Sequence, residues 1–207
     1  LYVITAESPY APTTIRRMKD DPGAATMEEI WKMKGVAYDL IFHPKFSENG
    51  YAYLGWNGSN GEKGNYTKVT RFTVGRKPPY EFDLKSEKLV IEWPSDGHNG
   101  GAVCFGNDGM LYVTSGDGTS DSDRNVRGQE MSNLTAKVLR IDADHTDEGK
   151  AYSVPKDNPF VGREGIAPET WAYGLRNPWR IKHAPGTDQT LVGNNGQDLL
   201  EHTYPNP

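Results

Sequence analysis

The sequence lacks the features that mark several common classes of protein. It has one cysteine, Cys104, in 207 residues, which excludes an internal disulfide and a metal site built from several cysteines. No apolar run approaches the roughly 18 residues that a membrane-spanning helix needs, so no membrane span is predicted. Asp and Glu number 28 against 23 Lys and Arg, so net charge provides no attraction to nucleic acid.

Helical periodicity is also scarce. The best candidate for a helix is residues 25–34, but its apolar residues come at mixed spacing and a strand is favoured there. Elsewhere apolar residues form short runs rich in Val, Ile and aromatic residues, bounded by Gly, Asn, Asp or Pro. These runs predict strands near residues 1–5, 14–18, 38–42, 51–56, 68–74, 88–93, 102–105, 110–115, 137–142, 170–173, 179–183 and 190–193. The predicted fold class is therefore all-β, with aromatic side chains supplying much of the core.

Three stretches share one pattern of strand, polar turn with glycine, and strand. They are residues 40–55, 102–116 and 180–193, and Leu1-Tyr2-Val3 resembles the second half of such a unit. Aligned repeats of this kind predict a β-propeller with about four strands in each blade. The chain then holds three to four blades, whereas propellers usually close with four to eight. We expect residues 1–207 to be part of a single propeller domain of a longer protein.

Long polar loops separate the units. Residues 57–67, 116–135 and 144–168 are too polar for a core, and loops on a rigid scaffold often carry functional sites.

His98 is the first candidate functional residue. It lies in DGHNGG, directly before a predicted strand, and the two glycines allow close approach of the backbone to a flat ligand. Imidazole is the usual general base near neutral pH. On the local pattern alone, an ordinary turn histidine is the favoured alternative.

Asp117 lies nineteen residues later, in SGDG, at the end of the strand that pairs with the one following His98. The residue before the first strand of a hairpin and the residue after the second lie at the same edge. The carboxylate is therefore expected beside the imidazole, where it can orient the ring. An ordinary Asp-Gly turn is the alternative.

Two further segments are expected at the same edge. Arg176 and Asn177 precede a strand, and a guanidinium suits a developing negative charge on a planar ligand. A surface ion pair is the alternative for Arg176. The loop from Asn194 to Asp198 offers backbone and amide oxygens that suit a hard cation, with a plain turn as the alternative.

These segments resemble the glucose/sorbosone dehydrogenase family. The matching stretches are FHPKFSENGYAY from Phe42, HNGGAVCFGNDGMLYVTSGDG from His98, KVLRID from Lys137, YSVPKDNPFVG from Tyr152, ETWAYGLRNPWR from Glu169 and VGNNGQD from Val192. Members are soluble six-bladed propellers that use pyrroloquinoline quinone (PQQ) and calcium to oxidise sugars. The chain is most similar to the branch in multidomain planctomycete-type proteins, where the propeller adjoins a c-type haem module.

The resemblance implies a role for each candidate residue. His98 takes the proton from the C1 hydroxyl of a sugar while a hydride passes to the quinone, and Asp117 holds the imidazole. Arg176 stabilises the oxyanion that forms on the quinone, and His98, Arg176 and Asn177 line the cofactor. Backbone carbonyls of Asn195 and Gly196 bind calcium.

The resemblance further implies a periplasmic or secreted quinoprotein oxidoreductase, with a c-type haem module or a cytochrome as electron acceptor. Two departures stand out. The chain has Gly35-Val36-Ala37-Tyr38 where many members have GLLG, and the basic residues that hold the PQQ carboxylates come from later blades. This segment alone is therefore expected to be inactive. The alternative functions are a calcium-dependent lactonase and a propeller that only binds carbohydrate or protein.

Overall fold

The computed structural model describes residues 1–8, 10–121, 123–197 and 201–206. These residues form strands with one short helix. The strands are β1 (Tyr2–Thr5), β2 (Thr14–Arg17), β3 (Glu28–Lys32), β4 (Val36–Phe42), β5 (Tyr51–Ser59), β6 (Asn65–Val74), β7 (Phe82–Pro94), β8 (Gly100–Phe105), β9 (Leu111–Ser115), β10 (Lys137–Ile141), β11 (Thr170–Tyr173), β12 (Asn177–His183), β13 (Thr190–Asn195) and β14 (Glu201–Asn206). Helix α1 is Phe46–Asn49, and a 3-10 turn lies at Gly61–Lys63. Within these residues, no helix has the length and apolar character needed to cross a membrane.

The strands form four antiparallel sheets in chain order. Their orders are β1-β2-β3, β4-β5-β6-β7, β8-β9-β10-β11 and β12-β13-β14. The first strands of the last three sheets, β4, β8 and β12, lie next to one another. Antiparallel sheets that follow one another along the chain and pack through their first strands are the blades of a β-propeller. The predicted all-β propeller fold is therefore confirmed.

Contacts between sheets build the core. Trp93, Tyr53 and Leu139 belong to the cluster between the second and third sheets, and each is at most 1% exposed. Ile15 and Phe72 pack between the first and second sheets. The core therefore lies between blades, and aromatic side chains supply much of its apolar area, as the composition predicted.

The repeat pattern is confirmed, because residues 40–55, 102–116 and 180–193 coincide with the hairpins β4-β5, β8-β9 and β12-β13. The favoured strand within residues 25–34 is also confirmed, as β3. The loop predicted at residues 57–67 is wrong: β5 and β6 stay paired as far as Ser59 and Asn65.

Two strands were missed or shortened by the sequence patterns. β14 was not predicted, and β7 was predicted only over residues 88–93 although it begins at Phe82. Charged residues such as Asp83, Lys85 and Glu87 interrupt the apolar pattern in this part of β7. Charged side chains are typical of an edge strand, where they discourage pairing with another chain.

The antiparallel order sends successive loops to alternate ends of the blades. Residues 95–99, 116–136, 174–176 and 196–197 lie at one end, which we call the His98 rim. Residues 43–50, 106–110, 142–169 and 184–189 lie at the other end, which we call the opposite rim. The two long polar loops that remain from the sequence prediction therefore lie on different rims.

Candidate active site

Three loops of the His98 rim are joined by backbone hydrogen bonds. The carbonyl of His98 accepts from the N–H of Gly118 at 3.1 Å, and the carbonyl of Arg176 accepts from the N–H of Asp117 at 2.8 Å. These bonds hold the segment before β8, the segment after β9 and the segment before β12 in one cluster. The structure thus brings His98, Asp117 and Arg176 together.

Gly116 explains how closely the three loops approach. A Cβ atom at this position would overlap the carbonyl oxygen of His98 and would lie 3.0 Å from that of Arg176. Contacts this short do not occur for a real Cβ, so a residue with a side chain would push the loops apart.

His98 and Asp117 form a buried pair. Nδ1 of His98 lies 2.9 Å from Oδ1 of Asp117, and the two side chains are 11% and 1% exposed. The same Oδ1 accepts from the backbone N–H of Thr119 at 2.9 Å and from its hydroxyl at 3.0 Å. A carboxylate oxygen accepts hydrogen bonds, so the imidazole tautomer that matches this contact carries its hydrogen on Nδ1 and a lone pair on Nε2.

Nε2 of His98 has no hydrogen-bond partner among the described residues. A buried imidazole with one nitrogen held and the other free is the arrangement of a general base. Oδ2 of Asp117 is buried and makes no hydrogen bond within the described part of the chain.

Arg176 and Asn177 adjoin this pair. Nε of Arg176 donates to Oε1 of Gln197 at 2.9 Å, and Nη1 lies 3.5 Å from the carbonyl oxygen of Asn195. Arg176 forms no salt bridge with any residue that the structure describes, so the surface ion pair is not supported. Its guanidinium is a half-buried cation whose Nη2 makes no hydrogen bond to the residues that the structure describes.

Asn177 lies at the start of β12, opposite Asn195 of β13. Its backbone N–H donates to Oδ1 of Asn194 at 3.0 Å. Its own Oδ1 is buried and has no partner among the described groups. A buried polar atom of this kind needs a hydrogen bond that a ligand or a water molecule can provide.

The loop predicted to bind calcium follows β13. Asn195 and Gly196 lie on the His98 rim, whereas Asp198 is outside the described residues. The carbonyl of Asn195 is directed at Nη1 of Arg176. Among the described residues, no three His, Cys, Asp or Glu side chains are grouped as metal ligands would be.

The two glycines after His98 pack closely against other parts of the protein. Both are buried, with φ of 68° at Gly100 and 88° at Gly101. A Cβ at Gly100 would overlap the backbone of Thr114, and one at Gly101 would lie 3.0 Å from Cδ2 of Tyr38. The glycines therefore allow close packing inside the protein.

Sequence reasoning missed a polar network beside His98. The side chain of Asn99 accepts a hydrogen bond from the hydroxyl of Ser95 and donates to the hydroxyl of Tyr38 at 2.6 Å. Ser95 and Asn99 lie within the motif around His98, so their proximity was open to prediction. Tyr38 comes from another sheet, and no pattern in the chain points to its contact with Asn99.

Lys137 was also missed. This lysine is fully buried in β10, and its Nζ donates to the carbonyls of Glu130 at 2.6 Å and Thr135 at 2.7 Å. Burial lowers the pKa of Lys137 to about 8, because the charged form loses hydration. Lys137 thereby ties down the loop that carries Asp117.

Comparison with known sequences supports the resemblance. The human Hedgehog-interacting protein is 33% identical over 148 residues, which are 68% of this chain and 21% of that protein. Aldose sugar dehydrogenase YliI of Escherichia coli is 25% identical over 186 residues, which are 82% of this chain and 47% of that protein. The chain thus spans from about a fifth to about half of the length of these relatives.

Solved structures share the fold. A glucose dehydrogenase superposes with a TM-score of 0.72 at 21% identity, covering 100% of this chain and 65% of that one. The PQQ-bound aldose sugar dehydrogenase of Streptomyces coelicolor superposes with a TM-score of 0.67 at 19% identity, covering 99% and 56%. The family model described as Glucose / Sorbosone dehydrogenase matches residues 12–202. The chain therefore belongs to the glucose/sorbosone dehydrogenase family.

Proposed function

We propose that this chain forms the base-bearing part of a PQQ-dependent sugar dehydrogenase, in which His98 deprotonates the C1 hydroxyl of an aldose. The observation that carries the proposal is the buried His98–Asp117 pair, in which Nε2 of His98 has no partner in the described part of the chain. Membership of the sugar dehydrogenase family supports the reaction class. We further propose that residues 1–207 are part of a single propeller domain.

The proton transfer follows from the hydrogen bonds of the pair. Nε2 of His98 accepts the proton of the C1 hydroxyl, and the ring becomes a cation. Asp117 stabilises that cation through Nδ1, and its Oδ1 is kept in place by the two hydrogen bonds from Thr119. Asp117 is therefore a positioning residue, while His98 contacts the reacting hydroxyl.

Arg176 and Asn177 fit a planar ligand that carries oxygens. Among the described residues, Nη2 of Arg176 and the buried Oδ1 of Asn177 have no hydrogen-bond partner. When bound, PQQ supplies the quinone that accepts the hydride from C1. Arg176 orients this ligand and stabilises negative charge on its oxygen, because a fixed cation in a half-buried site requires little reorganisation.

Calcium fits the described residues less well. Of the two carbonyls predicted as ligands, that of Asn195 faces the cationic Arg176, and Ca²⁺ usually takes about six to eight oxygen ligands. The roles of Asn195 and Gly196 as ligands stay predictions.

The substrate and the acceptor complete the proposal. We propose an aldose as the substrate, a c-type haem module or a cytochrome as the electron acceptor, and a periplasmic or secreted location. Support comes from the family and from the similarity to an aldose sugar dehydrogenase.

A propeller that only binds a protein is the second candidate. It is favoured by the 33% identity to a protein whose name describes an interaction with Hedgehog. The lactonase alternative needs a cluster of carboxylates at the ring axis. The described residues hold no group of three or more His, Cys, Asp or Glu side chains that could hold a metal.

The test is dye reduction by the protein expressed from its full reading frame, with added PQQ, calcium and a panel of aldoses. We expect turnover in the wild type and a loss of about 10²-fold or more in His98→Gln. The matched control is His145→Gln, because His145 also lies 2.8 Å from a carboxylate, that of Asp142, but on the opposite rim.

The outcomes separate the candidates. Loss in His98→Gln with full activity in His145→Gln supports the dehydrogenase. Absence of dye reduction with every aldose, from a protein that is folded and binds PQQ, contradicts it. Equal activity of the two variants would contradict only the proposed role of His98 and leave the reaction class untouched.

A further inference from the structure

Asn99 connects the turn that carries His98 to the neighbouring blade. Its Oδ1 accepts from the hydroxyl of Ser95 and lies 3.4 Å from the backbone N of Gly97, while its Nδ2 donates to the hydroxyl of Tyr38 at 2.6 Å. Asn99 is 8% exposed and Tyr38 is 9% exposed. The side chain therefore spans the turn on one side and the adjacent sheet on the other, away from solvent.

Tyr38 is itself firmly held. It lies on β4, the first strand of the second sheet, and its ring packs over Gly101 at the start of β8. The ring also makes an edge contact with Trp179 of β12, with centroids 5.6 Å apart. Tyr38 thus contacts parts of three blades, and its hydroxyl is a fixed point for Asn99.

We propose that Tyr38 and Asn99 are positioning residues that set the direction of the His98 imidazole. The inference rests on the proposed role of His98 as the base. A hydrogen bond such as that between Nδ1 and Asp117 requires alignment within a few tenths of an ångström. The backbone of His98 is already bonded to residues 118 and 119, and Asn99 adds a hydrogen bond to the neighbouring sheet.

Loss of the Tyr38–Asn99 hydrogen bond should change the position of His98 and leave the packing of the blades intact. Removing the Tyr38 hydroxyl leaves the ring packing against Gly101 and Trp179 in place. Nδ2 of Asn99 then lacks its acceptor, and the turn gains freedom where His98 sits. The expected consequence is a misaligned base in a protein whose blades remain folded.

The test compares Tyr38→Phe with wild type in the protein expressed from its full reading frame. We expect kcat for aldose oxidation to fall about 10-fold with KM changed less than about 2-fold, because the base acts in the transition state. With isotope-labelled histidine, we expect the NMR resonance of the Nδ1 proton of His98 to broaden through faster exchange with water. His98→Gln assigns that resonance.

Tyr53→Phe is the matched control. Tyr53 is a fully buried tyrosine of the same sheet, on β5, outside the network around His98. We expect wild-type kcat and an unchanged Nδ1 resonance. Asn99→Ala should reproduce the effect of Tyr38→Phe. The double variant should be no slower than Asn99→Ala, because both changes remove the same hydrogen bond.

The outcomes are distinct from those of the proposed function. A sharp Nδ1 resonance in Tyr38→Phe, or additive losses in the double variant, overturns the positioning role. If the wild type oxidises no aldose, the proposed function fails, and the NMR comparison still decides whether Tyr38 orients His98.

Discussion

The two rims of the blades carry histidine–carboxylate pairs of the same type in different surroundings. On the His98 rim, the side chains of His98 and Asp117 are 11% and 1% exposed. On the opposite rim, those of His145 and Asp142 are 76% and 18% exposed, with a comparable separation of 2.8 Å. Water screens the charges of the exposed pair, so that pair contributes little to stability. The buried pair is held in place by its neighbours.

Burial alone does not make a base, as His43 on the opposite rim demonstrates. Its side chain is 3% exposed, and its Nε2 lies 3.0 Å from Oδ1 of Asp144. Its Nδ1 accepts from the backbone N–H of Lys45 at 3.0 Å and lies 2.8 Å from Nδ2 of Asn49. Both nitrogens are therefore used in structure. His98 differs because its Nε2 has no partner among the residues that the structure describes, and a search by residue type overlooks this feature.

The largest expected effect tests how closely the loops of the His98 rim must approach. Gly116→Ala forces a Cβ into the carbonyl oxygen of His98, and we expect the free energy of unfolding to fall by about 3 kcal/mol. Gly109 on the opposite rim is the control. In Gly109→Ala no atom lies within 4 Å of the new Cβ, and the only source of strain is the positive φ of 78°. It should cost about 1 kcal/mol.

Urea denaturation of both variants measures the difference. Equal losses would show that the rims tolerate a methyl group alike, contrary to the close contact between Gly116 and His98.

The second prediction concerns the carboxylates of the two pairs. Asp117→Asn keeps an acceptor for Thr119 but removes the negative charge that stabilises the protonated imidazole. We expect kcat to fall about 10²-fold. Asp142→Asn on the opposite rim should leave kcat unchanged. Steady-state kinetics of both variants measures kcat. A similarly small decrease in kcat in the two variants would show that the two pairs do not differ in function.

The third prediction concerns Lys137, whose Nζ is hydrogen-bonded to the loop that carries Asp117. Since burial lowers the pKa of Lys137 to about 8, the unfolded chain binds more protons than the folded chain between pH 8 and the ordinary lysine value. The free energy of unfolding should therefore rise with pH, by about 1 kcal/mol from pH 7 to pH 9. Urea midpoints at the two pH values measure this rise. Lys137→Met should abolish it, and an identical rise in the variant would assign it to another group.

The smallest expected effect concerns His43. Burial lowers the pKa of His43, with Asp144 acting in the opposite direction. The folded state therefore binds fewer protons than the unfolded state, and stability that is present above about pH 6.5 is lost as the pH falls. Melting temperatures at pH 7 and pH 5 should differ less in His43→Gln than in wild type. A drop of equal size in both would show that other groups cause the acid sensitivity.

Much of the fold was open to prediction because its strands are short, apolar and separated by turns. The four units found in the sequence lie in four different sheets, with Val3, Leu54, Val113 and Val192 on strands β1, β5, β9 and β13. Two edge segments, β14 and the first half of β7, were not predicted. The first half of β7 carries charges that an outer strand tolerates because it is not buried on both sides.

The sequence by itself determined the local part of the candidate site. His98 and Asp117 flank the hairpin β8-β9, so strand pairing alone brings them to one rim. The contacts of Tyr38 with Asn99, of Gly116 with Arg176, and of Nε2 of His43 with Asp144 were decided only by the tertiary structure. The physical reason is that pairing within a hairpin depends on a few neighbouring residues. Contacts between blades depend instead on how whole sheets pack, which no local pattern records.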